Sequence, residues 1–305
     1  MPGLPPPSTL DARHIVLVIA HGLQGDLPPL NDLPNLQTMR RLGISIERCA
    51  TGGRSSLETL LLNGTGGGLA GASARGGRGC LQVLPWRPAS WVARRTSGAH
   101  CSIVDDRLDD GTGTWQGLME AKPQVVSGGD GGDVADFLRD NVLPRFPGEP
   151  TMRHAGTAPL EAWMTWVSDA FLRALWYASS RWPGGVVAVL CHPAPRLLAR
   201  HDSEGGFLDG LAVVDDLIGR LLVLSEHREL DGSAVILCGD AGAAAPGQGD
   251  AALREGDAAG GTVPVLMAGG GIERGRLTPS ADLVEVGRWL RELAATPAGG
   301  GGDDA

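Results

Sequence analysis

The stretch HIVLVIAHG, residues 14–22, decides the architecture. Six β-branched or apolar positions, residues 15–20, run without a polar break and stop at His21-Gly22, the pattern of a parallel strand buried on both faces. Such a strand belongs in the middle of a sheet. Just beyond it, DLPNLQTMRRL (residues 32–42) places Leu36, Met39 and Leu42 at helical spacing behind a Pro-Asn start, with Gly43 as the stop. Strand and helix together form a βα unit.

The same alternation continues outward. A second strand is expected around residues 44–48, then the turn Gly52-Gly53-Arg54-Ser55-Ser56 and an apolar helix over 57–62. Residues 64–79, rich in Gly, Ala and Arg, read as a mobile loop. Residues 90–95 read as a short helix leading to a strand at 99–104, and 105–132 as a polar, Gly-rich insertion without elements of its own. Helices are expected at 134–142, 160–181 and 207–226, strands at 186–191, 234–238 and 263–268, and a closing helix at about 280–295. The tryptophans of the 160–181 helix read as core packing. The fold class that follows is α/β, a doubly wound, mostly parallel sheet with helices on both faces, whose ligands bind beyond the carboxyl ends of the strands. The reading is a single domain over residues 13–295 with a loop-rich insertion at about 105–150, flanked by a disordered segment at 1–12 and a disordered tail at 296–305.

Composition narrows the function classes. The 305 residues carry 35 acidic and 26 basic side chains, a formal charge of −9, with no basic stripe to hold nucleic acid or an anionic membrane. No run of 18 apolar residues and no signal-peptide pattern occurs, so a cytoplasmic protein is expected. The five cysteines (Cys49, Cys80, Cys101, Cys191, Cys238) form no CxxC pair and read as reduced, structural thiols.

Three segments, in this order, resemble the alkaline phosphatase superfamily, especially its nucleotide pyrophosphatase/phosphodiesterase and sulfatase branches. VLVIAHG (16–22) with LPNL (33–36) looks like the family's opening strand and "PNL" helix. SSLETLLLNG (55–64) is similar to the helix that carries the nucleophile. DDLIGRLL (215–222), then LDGS (230–233) and AVILCGDAG (234–242), resembles the run "D-x-x-[IV]-G-R-L-L … L-D-x-[ST] … S-D-H-G" and is the most specific of the three. The resemblance implies two divalent metals that bind phosphoryl or sulfuryl oxygens and activate a Ser or Thr nucleophile.

This chain departs from that ligand set. His21 stands where the family has a carboxylate, Ala241 replaces the histidine after Asp240, and Arg196 and Arg200 occupy the Asp and His positions of "P-D-x-x-G-H". Guanidinium is no metal ligand, but its planar fork holds phosphate or carboxylate bidentately. A one-residue slip would bring His201 into register, with His192 and Asp202 beside it. The metal candidates are therefore His21, Asp240, His201 and Asp202, holding one divalent ion, zinc or manganese, or none.

Ser55 and Ser56 are the nucleophile candidates, with capping of the following helix as the competing role. Arg54, Arg196 and Arg200 are the candidate anion contacts, with a solvated basic face as the competing role. Two functions follow: a divergent superfamily protein acting on or recognising a phosphate or sulfate ester with a reduced or absent metal centre, or a catalytically inactive protein that binds an anionic ligand or protein partner through Arg196 and Arg200. In either case a small anionic ligand is expected, and neither nucleic acid nor membrane.

Overall fold

The computed structural model describes residues 4–53, 55, 56, 58–62, 68–84, 100–104, 124–145, 158–195, 198, 205–227, 230–240 and 261–297. Among these, nine strands form one sheet: β1 (His14–His21), β2 (Gly43–Ala50), β3 (Gly79–Leu84), β4 (His100–Val104), β5 (Gln124–Gly128), β6 (Val186–His192), β7 (Ser233–Asp240), β8 (Thr262–Gly269) and β9 (Arg276–Asp282). Their order is β5-β4-β3-β6-β1-β7-β8-β2-β9. Only β5 and β8 run against the rest. As its composition requires, β1 lies at the centre, hydrogen-bonded in parallel to β6 on one side and β7 on the other. No residue from Ile15 to Ala20 exceeds 1% exposure.

Among the described residues six α-helices cover the sheet: α1 (Pro34–Leu42), α2 (Gly68–Arg75), α3 (Gly132–Phe137), α4 (Ala158–Arg181), α5 (Gly205–Leu224) and α6 (Leu283–Ala295). The pleat sorts the central strand between two cores. Val16, Val18 and Ala20 pack with α1, α3, α4 and α5, whereas Ile15, Leu17 and Ile19 pack with α2 and α6. Each such aliphatic side chain, fully buried, contributes about 1.5–3 kcal/mol. No described helix is long and apolar enough to cross a membrane.

Two family-like motifs turn out to be halves of one contact. The residue before α1, Leu33, offers its first turn no side-chain cap. Asp215 of α5 supplies it from across the core: Oδ1 accepts the Leu36 N–H at 2.7 Å, and Oδ2 accepts the Asn35 side-chain amide at 2.8 Å and its backbone N–H at 3.3 Å. The carboxylate thus satisfies unpaired donors at the positive end of the α1 dipole. One turn later Gly219 leaves room for Asn35, since a Cβ there would lie 2.5 Å from the Asn35 Cγ. The neighbouring Arg220 reaches Asp169 on α4 at 2.7 Å, but both are about 40% exposed and the pair adds little.

At the opposite edge of the sheet a buried arginine ties the chain ends together. Arg78 donates to the carbonyls of Ala12 (2.7 Å), Arg13 (3.1 Å), Ala294 (3.0 Å), Leu293 (3.3 Å) and Thr296. Its charge sits at the carboxyl end of α6, where unpaired carbonyls favour a cation.

Several expectations need correction. Residues 64–79 were expected as a loop, yet they hold α2 and the start of β3: Leu69 and Ala72 bury a small-residue face in the α6 layer. The 105–132 stretch, expected to lack elements, contains strand β5, while the helix expected at 134–142 is present as α3 and the π-helical turn Leu138–Val142 that continues it. As an edge strand paired on one side only, β5 carries little of the apolar signature that marks β1. The first part of the closing helix is strand β9, an edge strand that tolerates Pro279. The N-terminal segment packs on the domain from Leu4 onward, with a 3-10 turn at Pro7–Thr9 and the Trp289 indole N–H donating to the Pro5 carbonyl at 2.7 Å. Of the helix-160 tryptophans Trp163 is buried, but Trp176 is 49% exposed. The helix expected at 90–95 lies outside the described residues, as does the tail from residue 298.

The Asn35–Asp215–Gly219 contact predicts a non-additive double-mutant cycle. Gly219→Ala in the wild-type background should cost about 1 kcal/mol or more by displacing Asn35 from Asp215. In an Asn35→Ala background the same change should be neutral or stabilising, because alanine is the better helix former. Urea denaturation of the four proteins reads the coupling; strictly additive costs would refute the contact.

Candidate functional site

Parallel pairing of β1 with β7 sets His21 directly beside Asp240 at the carboxyl edge of the sheet. Both follow the alternation of Ile15, Leu17 and Ile19, so they project toward the α2 and α6 layer. The His21 Nδ1 and the Asp240 Oδ2 are 3.0 Å apart, with 12% and 2% of the two side chains exposed. Gly239 lets the chain leaving β1 pass close above: a Cβ there would lie 2.2 Å from the Leu23 carbonyl oxygen.

The Gly-rich turn after β2 brings both serines to the same carboxylate. Ser56 donates its backbone N–H to Asp240 Oδ1 at 2.9 Å, and the Ser55 hydroxyl lies 3.4 Å from Oδ1 and 3.5 Å from Oδ2. Thr59 locks the turn by donating its backbone N–H and its hydroxyl to the Ser55 carbonyl, each at 3.0 Å. Beyond it the chain makes a π-helical turn over Glu58–Leu62 rather than the α-helix expected at 57–62. Asp240 therefore accepts from an imidazole, an amide and a hydroxyl. The Ser56 hydroxyl is buried and finds no nitrogen or oxygen partner.

Four of the sequence candidates, His21, Ser55, Ser56 and Asp240, thus converge. Arg54, Arg196, Arg200, His201 and Asp202 lie outside the described residues. His192, considered for a shifted metal site, does not join them. It stands level with Ala20 on β6 and faces the α4 layer, where its Nδ1 accepts the Ala194 N–H at 3.3 Å and its Nε2 lies 3.1 Å from the Ser168 hydroxyl. The amide contact places the ring proton on Nε2. Sequence reading missed this Ser168–His192 pair, since a serine among apolar residues of a long helix gives no signal of its partner.

The thiols offer no alternative nucleophile. All five are free and buried. Burial first, then the charge of Asp240, pushes Cys191 well above the ordinary thiol value; burial, Cys49 and Asp240 do the same to Cys238, so both stay protonated.

With this arrangement in view, likenesses to solved structures give the class. The chain superposes on the PsFucS1 sulfatase from Pseudoalteromonas sp. with a TM-score of 0.50 at 11% identity, covering 92% of this chain and 67% of that one. For the lipoteichoic acid synthase LtaP from Listeria monocytogenes the values are 0.51, 10%, 96% and 74%. For an alkaline phosphatase superfamily protein from Vibrio parahaemolyticus they are 0.54, 11%, 96% and 69%. The chain has the fold of the alkaline phosphatase superfamily, as its motifs led one to expect. No family model matches its sequence, and no curated protein does.

That fold implies metals, and the donors at the carboxyl edge can be weighed against the need. Zinc sites take three or four protein ligands. The described residues bring together one imidazole and one carboxylate, already bonded to each other, and no group of three His, Cys, Asp or Glu side chains occurs among them. These residues do not by themselves complete a metal site.

Two buried histidines predict the acid stability. His14, fully buried at the start of β1 with neither ring nitrogen paired, is held at about 4 by burial, then by the charges of Arg13 and Arg78. His192 is likewise held at about 4 by burial. Both are neutral in the fold at pH 7, whereas in the unfolded chain they protonate near 6.5. The stability they allow is complete above pH 6.5 and is lost as pH falls toward 4, by up to about 3 kcal/mol per histidine. Urea midpoints measured from pH 7 to 4 should fall accordingly, and His14→Leu should flatten roughly half of that descent. An unchanged slope would show that His14 does not contribute.

Proposed function

We propose that this chain recognises or acts on a small phosphate or sulfate ester at the carboxyl edge of its sheet, with Ser55 as the reacting hydroxyl and a reduced or absent metal centre. The convergence of Ser55, the Ser56 amide and His21 on the single buried carboxylate of Asp240 carries this reading. The sulfatase and superfamily neighbours support the same ester class through the shared fold.

In this reading Asp240 orients the Ser55 hydroxyl and accepts its proton as Oγ bonds to phosphorus or sulfur. The bridging ester bond breaks, the leaving oxygen takes a proton from solvent, and water then releases the serine ester. The long Ser55–Asp240 contacts of 3.4 and 3.5 Å suit a free enzyme whose geometry tightens on substrate binding. Arg54, Arg196 and Arg200 are the proposed anion contacts.

A second reading has its own observation. Three protein donors already satisfy the Asp240 carboxylate, which suits a protein that binds an anion without turnover.

The deciding experiment combines metal content by mass spectrometry of wild type, Asp240→Ala and His21→Ala with turnover of aryl phosphomonoesters, phosphodiesters and sulfate esters. An ester hydrolase should lose at least about a hundredfold in kcat with Ser55→Ala. A stoichiometric metal that vanishes in both ligand variants would place the residual centre at His21 and Asp240. Absence of turnover on all three classes, with phosphate binding retained, would establish the binding protein instead.

A further inference from the structure

A separate cavity lies on the other face of the sheet from His21 and Asp240. A cavity of about 290 Å³ opens between α4 and the turns that follow α3, lined among others by Arg145, Thr165, Trp166, Asp169, Ala170 and Arg173. It is separate from the serine–aspartate cluster, because α4 packs on the face of Val16, Val18 and Ala20 while His21 and Asp240 project from the other.

The charges of its wall do not cancel. Asp169 is the one carboxylate among the lining residues, and it is engaged by Arg220 at 2.7 Å. Arg145 and Arg173 both line this one space, and neither has an ion-pair partner among the described residues, in a chain whose net charge is −9. The remainder of the lining is mixed: a threonine hydroxyl, alanines and a half-buried indole face.

We propose that this cavity binds a small organic phosphate monoester, its dianion held by Arg145 and Arg173 and its organic half packed on Trp166 and Ala170. Two planar forks match a tetrahedral dianion better than a single carboxylate, because each can donate two hydrogen bonds to neighbouring oxygens. A volume of 290 Å³ sits at the lower end for small-molecule sites and admits a ring plus one phosphate, not a nucleic acid or a protein segment.

Calorimetric titration of the full chain at low salt, with phenyl phosphate and with inorganic phosphate as probes, tests this. Phenyl phosphate should bind, and the Arg145→Gln/Arg173→Gln double variant should bind at least about tenfold more weakly. Repeating the comparison in the Ser55→Ala background removes turnover of this aryl phosphomonoester at the ester site, and the loss of binding in the double arginine variant should persist there; a binding signal that no longer depends on the two arginines overturns the cavity. Trp166→Ala should weaken phenyl phosphate and spare inorganic phosphate. No binding by wild type at millimolar phenyl phosphate, or equal affinity in the double arginine variant, overturns the site. Equal affinity for the two probes overturns its preference for an organic ester.

Discussion

Everything in this molecule hangs on β1, hydrogen-bonded along its length to β6 and β7. A strand buried on both faces has no polar side chain to spend until it reaches an edge, and its first and last residues are both histidines. His14 at the amino edge is sealed in without a partner. His21 at the carboxyl edge meets Asp240, because the parallel register leaves that residue no other neighbour at its level on β7. The ladder thereby turns a backbone regularity into a chemical pair.

Buried aspartates then join the layers to the sheet in two places by the same device. Asp215 reaches from α5 to the opening amides of α1, and Asp240 reaches from β7 to the amide of Ser56. Each carboxylate accepts backbone donors that have no partner in their own helical turn. The difference lies in what else arrives. Asp215 meets the Asn35 amide and the backbone of Asn35 and Leu36, a closed and inert contact. Asp240 meets a serine hydroxyl and an imidazole at the edge where α/β sheets bind their ligands, and that makes it the candidate reacting centre.

How much of this was legible follows from where the signal resides. The buried strands β1, β6 and β7 announce themselves as unbroken apolar runs, and α4 and α5 by their periodicity. The edge strands β5 and β9 are paired on a sheet rim and carry polar residues and a proline, so composition hides them. Helix α2 is built of Gly, Ala and Ser, whose pattern reads as a loop until α6 is packed against it. Asn35, Asp215 and Gly219 fall within two separate motifs resembling the phosphatase superfamily, but their physical meaning, a trans cap with room for one amide, appears only in three dimensions.

The sequence by itself determined the α/β class, the central strand and the family-like fold, because these are local or carried by residue type. Tertiary structure decided which of those residues meet. His21 and Asp240 are 219 positions apart, and Ser55 reaches the same carboxylate across 185. The histidines show the reason most directly: His192 and His21 both end central strands, yet a one-residue difference in register turns one toward α4 and the other toward Asp240. Side chains alternate along a strand, so the face a residue serves is fixed only when its neighbours are.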